Sequence, residues 1–112
     1  MTDLDEILEH ADYLEQLRHQ KEIINITFQD ECVFAYGGGL FELTPEFIAG
    51  VQVRANGSEL WVLDRNRNAI QITDVEQFVT QAVSAYNLAI KNYAEAAAAL
   101  TVKRSVKAII QS

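Results

Sequence analysis

The 112-residue chain has one cysteine, one proline, one methionine and one tryptophan. With Cys32 alone, no intrachain disulfide can form and no cysteine cluster can hold a metal within one chain. Histidine is nearly as scarce. His10 and His19 stand nine apart with no third nearby, so they read as solvated helix residues rather than zinc ligands. The single proline, Pro45, leaves no proline-rich linker, and one domain is expected. Apolar runs extend only a few residues, far short of the ~20 needed to span a bilayer, so no membrane partner is expected. The opening MTDLDEILEH lacks the basic and apolar regions of a signal peptide, and a cytoplasmic protein is expected.

Positive charge is also in short supply. The net charge of −7 is concentrated at the start: residues 1 to 32 carry nine acids against Arg18 and Lys21. Residues 73 to 112 carry a balance of +1, with Lys103, Arg104 and Lys107 clustered near the end. Such a molecule repels nucleic acid as a whole, because phosphate binding needs a basic surface. An acidic head and a basic tail are suited to attract each other between subunits. The apolar fraction of 49% marks a folded chain rather than a disordered one.

Periodicity divides the chain into three regions. Over residues 1–22, Leu4, Ile7, Leu8, Ala11, Leu14 and Leu17 recur at helical spacing on an acidic cylinder, and this helix is expected to fade around Gln20 to Glu22. Residues 23–72 read as hairpins with one short helix. Ile24, Ile26 and Phe28 alternate with polar residues, so residues 24 to 36 predict a hairpin whose second strand is Cys32–Tyr36. Leu40–Leu43 predicts a third strand. Thr44-Pro45-Glu46 predicts a helix start, with Thr as cap and Pro at the first position. Asn56-Gly57 is a turn signal, and residues 59–63 and 69–72 pair as a second hairpin across Asp64-Arg65-Asn66-Arg67-Asn68. Residues 73–112 hold a long helix and a basic tail. Thr73 with Glu76 reads as a capping box, and the stripe of Val75, Val79, Ala82, Tyr86, Ala89, Tyr93, Ala96 and Leu100 follows a helical rhythm.

If continuous from about 74 to 101, that helix is ~42 Å long at ~1.5 Å per residue. A domain of this size is only about 30 Å across, so part of the helix must overhang, pair with Leu4–Leu17 or meet another subunit. Thr101-Val102 is expected to weaken it, with Ser105 capping a last short turn. The expected fold is α+β: a small antiparallel sheet of hairpins packed on the long C-terminal helix, with the acidic N-terminal helix alongside.

No motif carries catalysis or a cofactor. Gly37-Gly38-Gly39 lacks the Lys and hydroxyl of a phosphate-binding loop, and a strand rather than a helix follows it. The glycines read instead as a wide turn or bulge between strands 32–36 and 40–43, where positive φ is needed. Cys32 has no His in its strand region, the serines lack a nucleophile elbow, and the carboxylate pairs sit on a solvated helix or in a turn. DRNRN, residues 64 to 68, lacks the glycine and closing Glu of a calcium loop. Neither catalytic residue, metal ligand nor cofactor is assigned.

From about residue 40 onward the chain reads FELTPEFIAG, LWVLDRNRNAIQITDVEQF, AYNLAIKNYAEAAAAL and KRSV. This resembles small uncharacterised proteins of contractile-tailed bacteriophages, in which a VLDxNxNPIxI-type hairpin precedes a long Tyr-rich helix with a Lys-Ala-Arg-Ser-Val-like end. The matching residues are Val62 to Ile72, Tyr86, Tyr93 and Lys103 to Val106; Ala69 stands where that pattern has proline. The resemblance implies a virion, assembly or host-takeover protein, acting in the cytoplasm of the bacterial host or carried in the particle. It supplies no catalytic residue.

The reading that follows is a non-enzymatic, self-associating structural or assembly protein. Its interaction stripe is Tyr86, Ile90, Tyr93 and Leu100, and its partner is itself or another phage structural protein. The alternative is a binding module that sequesters a nucleotide-like small molecule or inhibits a host protein. Tyr36 and Phe41 beside the glycine loop would stack on such a ligand, and Arg54, Arg65, Arg67, Lys103, Arg104 and Lys107 are the candidate anion contacts.

Overall fold

A computed structural model describes residues 3–55 and 59–111, with side chains described through Val102. The element order is α1 (Asp3–Glu31), β1 (Val33–Tyr36), β2 (Gly39–Glu42), α2 (Pro45–Arg54), β3 (Leu60–Leu63), β4 (Ala69–Ile72) and α3 (Val75–Gln111). The fold is α+β. Its strands form two separate two-stranded antiparallel sheets, β1–β2 and β3–β4. The molecule measures 70 × 23 × 19 Å. Both hairpins and α2 gather at one end, and α1 and α3 run antiparallel away from them as a two-helix arm.

Local chemistry accounts for most element ends. In β1–β2, Tyr36 pairs with Gly39 across a two-residue turn in which Gly37 and Gly38 have φ of 58° and 86°. Glycine takes these angles at no steric cost, and a turn of this hand suits the strand twist. The device is therefore a tight turn rather than a wide one or a bulge. Gly39 is required for a different reason: a Cβ there would stand 2.7 Å from Cγ1 of Ile70. Thr44 caps α2 by accepting from the Phe47 amide at 3.0 Å, with Pro45 following it. At α3 the cap is Asp74, whose Oδ1 accepts from the Gln77 amide at 3.0 Å, one residue later than the Thr73 expected.

Two further expectations, both about helix extent, are corrected. The strand expected over Ile24–Phe28 is the second half of α1, which runs unbroken to Glu31. The true partner of the strand ending at Tyr36 is residues 39–42. Ile24 and Phe28 lie four apart, a spacing that suits one face of a strand and one face of a helix alike. Packing against α3 selects the helix, with the Phe28 ring 5.3 Å from that of Tyr93 and 6.3 Å from that of Tyr86. Ile26, which a strand would have buried with them, points outward and is 57% exposed. The second correction lies in α3, whose backbone stays helical past Thr101 to Gln111. The Thr101 hydroxyl donates to the Ala97 carbonyl at 3.0 Å and so stays within the helix rather than ending it. Ser105 and the Asn56-Gly57 turn signal lie outside the residues whose side chains are described.

The core lies at the hairpin end. Phe41, Val51, Val62, Ile72, Val75 and Phe78 form one buried cluster, joined by half-buried Phe34, Tyr36 and Phe47. The Phe78 ring is 4.9 Å from that of Tyr36 and 5.3 Å from that of Phe41, both edge to face, the arrangement aromatic quadrupoles favour. A second cluster of Cys32, Leu43, Ala82 and Ala89 anchors the end of α1 to α3. The two hairpins are tied by Asp64. Its Oδ1 accepts from the amides of Asn66 and Asn68 at 2.9 and 2.8 Å, and its Oδ2 accepts from the Leu40 amide of the other hairpin at 3.2 Å. The Arg65 amide returns a bond to the Leu40 carbonyl at 2.8 Å.

Candidate functional site

The arm is where sequence and packing diverge. No described residue of α1 is fully buried. The side chains of α1 turned to α3 are Tyr13, Leu17, Gln20, Ile24 and Phe28, all half-buried. Residues 3 to 12 are exposed throughout, and the stripe of Leu4, Ile7, Leu8 and Leu14 remains bare, Ile7 at 63%. An apolar stripe on an acidic helix normally marks the face that meets a neighbour. Among the described residues these side chains stay largely open to water.

Between the two helices the seam is incompletely filled, because α3 presents the small side chains of its AEAAAAL run. On one flank a groove of about 330 Å³ is lined by Leu17, Lys21, Ile24 and Asn25 from α1 and by Tyr93, Ala97, Leu100 and Thr101 from α3. On the opposite flank Gln20, Ile23, Ala96 and Ala99 line a groove of about 320 Å³, and Ile23, Thr27 and Glu31 face Asn92 and Ala96 across a further groove of about 210 Å³. There Asn92 Nδ2 donates to Glu31 Oε2 at 3.2 Å, closing the seam near the core.

The sequence-assigned stripe divides. Leu100 is buried in the seam, and Tyr86 is half-buried against Phe28, so both serve the contact with α1. Ile90 and Tyr93 keep 41% and 39% of their surface, and Tyr93 lines the grooves on both flanks of the seam. The apolar face of α1 between Leu4 and Leu14, which offered the long helix one of three ways to use its excess length, stays exposed. Its signal was present in the acidic residues interleaved along it.

The glycine loop and its aromatic neighbours are occupied by the fold. The Tyr36 hydroxyl donates to Gln77 Oε1 at 2.9 Å and its ring lies against Phe34 and Phe78, while Phe41 is 1% exposed. The arginines are held apart. Arg54 donates to the Trp61 carbonyl at 2.8 Å, Arg65 sits 3.7 Å from Glu42, and Arg67 occupies a turn with φ of 64°. Lys103, Arg104 and Lys107 lie outside the residues whose side chains are described. Burial pushes the Cys32 thiol up from its ordinary value, and the Glu31 carboxylate adds to the effect, which keeps the thiol in its less nucleophilic form. At Asp64, burial alone would raise the carboxyl. The amides of Asn68, Leu40 and Asn66 and the Asn68 side chain outweigh it and hold the carboxyl below its ordinary value.

The chain matches no family model, no curated protein and no solved structure. Among the described residues no cluster of three or more His, Cys, Asp or Glu is placed to hold a metal ion. No helix among them is long and apolar enough to cross a membrane. What the arrangement offers chemically is an exposed apolar stretch of α1 about 15 Å long, from Leu4 to Leu14, interleaved with acidic residues.

Proposed function

We propose that the protein is a non-enzymatic, self-associating structural or assembly protein of a tailed phage, working in the bacterial host cytoplasm or within the particle. One observation carries this reading: a 70 Å rod whose head is well packed bears an arm with a bare apolar flank. Monomers seldom leave a contiguous apolar patch of more than a few hundred Å² open to water, so such a flank marks an association surface. The sequence resemblance to small phage proteins supplies the setting. The engagement of Tyr36, Phe41, Arg54 and Arg65 in intramolecular contacts weighs against the ligand-binding alternative.

Sedimentation over a range of concentrations tests the reading. A species larger than one 12.6 kDa chain is expected at micromolar concentration. A monomer persisting to high micromolar concentration would count decisively against self-association. A genomic position among capsid and tail genes supports the phage assignment, whereas one among early genes supports host inhibition.

A further inference from the structure

Given self-association, on which this inference rests, we infer that the arm docks antiparallel on the arm of a second copy, through the flank holding Ile7, Leu14, Ile90 and Tyr93, to form a four-helix bundle. Heptad spacing aligns these residues. Ile7 and Leu14 precede Lys21 by two heptads and one, and Ile90 precedes Ala97 by one; Lys21 and Ala97 both line the 330 Å³ groove. Knobs and groove therefore share one face. A two-fold axis makes such a face complementary to itself, since each copy's Ile7 and Leu14 can enter the other's groove. The floor of that groove, Ala97, leaves room for a branched aliphatic side chain between Leu17, Ile24 and Leu100.

Charge selects the antiparallel sense. The knobs stand among Asp3, Asp5, Glu6, Glu9, Asp12 and Glu15, whereas the charge on the groove is that of Lys21. Parallel arms would set the two acidic segments side by side. Antiparallel arms bring each segment toward the other copy's lysine and separate the acids. Arg18, 3.3 Å from Glu15, adds a second cation on this part of α1. Area agrees. Ile7, Leu14, Ile90 and Tyr93, widened by Leu4 and Leu8, expose roughly 90 Å² each, about 550 Å² per copy, so two faces offer about 1,100 Å², just above the ~1,000 Å² a biological interface needs.

Three exposed substitutions test the surface without disturbing the core. Leu14→Glu places a charge in the proposed seam and is expected to weaken self-association by at least about 100-fold. Ile23→Glu, on the opposite flank, and Trp61→Glu, on the exposed face of β3, are expected to leave it within about threefold of wild type. Circular dichroism at low concentration checks that all three variants fold alike. In a Cys32→Ser background, Leu14→Cys with Ala97→Cys is expected to give an interchain disulfide on oxidation. If Leu14→Glu still associates normally while Ile23→Glu or Trp61→Glu does not, this interface is overturned and self-association stands. If wild type is monomeric at high micromolar concentration, both fall.

Discussion

The head and the arm are built from the same residue types and bury them very differently. In the head, two hairpins and α2 close over the first turns of α3, so Phe41, Phe78 and Ile72 lose nearly all contact with water. In the arm, two helices share a single seam, and α1 reaches no better than half-burial. Two cylinders in contact touch along a line, and each keeps most of its circumference in water whatever its sequence. A third or fourth layer is needed to close a core. The stability of the isolated chain therefore resides mainly in the head, and the arm's apolar surface is left available for a neighbour.

The sharpest way to break this comparison is to truncate one large side chain in each region. Phe78→Ala removes the ring that contacts four other aromatics and is expected to cost about 3–5 kcal/mol. Leu100→Ala, in a seam that already holds grooves, is expected to cost less, about 2 kcal/mol, at the low end for a buried leucine. Denaturant melts of both variants at a concentration where the protein is monomeric give the two values. Equal losses would mean that the arm is as well packed as the head.

A smaller effect separates two kinds of glycine within the head. Gly39→Ala drives a Cβ toward Ile70 and is expected to cost about 1–3 kcal/mol, relieved when combined with Ile70→Ala. Gly38→Ala meets nothing within 4 Å, so only its φ of 86° is penalised, at about 1 kcal/mol. Gly38→Val is expected to cost more than Gly38→Ala, since a β-branched residue tolerates positive φ worst. A Gly38→Val protein melting with wild type would show that the turn relaxes freely.

The smallest expected effect is a pH dependence confined to the head. Because Asp64 titrates below its ordinary value of 3.8 when folded, its contribution is fully present above that value and is lost as pH falls through the lower folded value. Asp64→Asn turns an amide donor toward the Leu40 N–H and is expected to lower the melting temperature at pH 7. The gap from wild type should narrow below pH 3.8. A constant gap from pH 7 to pH 2 would show that hydrogen-bond geometry alone, and not charge, joins the hairpins.

Several features of the head were legible in the chain itself. The Gly37-Gly38 pair announced a turn needing positive φ, Thr44-Pro45 announced the start of α2, and DRNRN announced the second hairpin. Each is a local preference satisfied within a few residues, which is why sequence suffices. The N-cap of α3 was legible only to within one position, because Thr73 and Asp74 both offer a capping oxygen and the backbone path into the helix chooses between them. DRNRN likewise revealed a turn but not that Asp64 would reach across to Leu40, a partner 24 residues away.

What the sequence determined by itself was the α+β class, the turns, the long C-terminal helix and the amphipathic acidic start, all properties set by neighbours along the chain. The tertiary structure alone decided that Ile24–Phe28 is helix, because a four-residue spacing fits both periods and only the rings of Tyr86 and Tyr93 break the tie. It also decided which apolar stripe is spent within the chain and which remains bare. Leu100 and Leu4 carry the same side chain; one lies in the seam and the other is 62% exposed, because burial depends on what stands opposite.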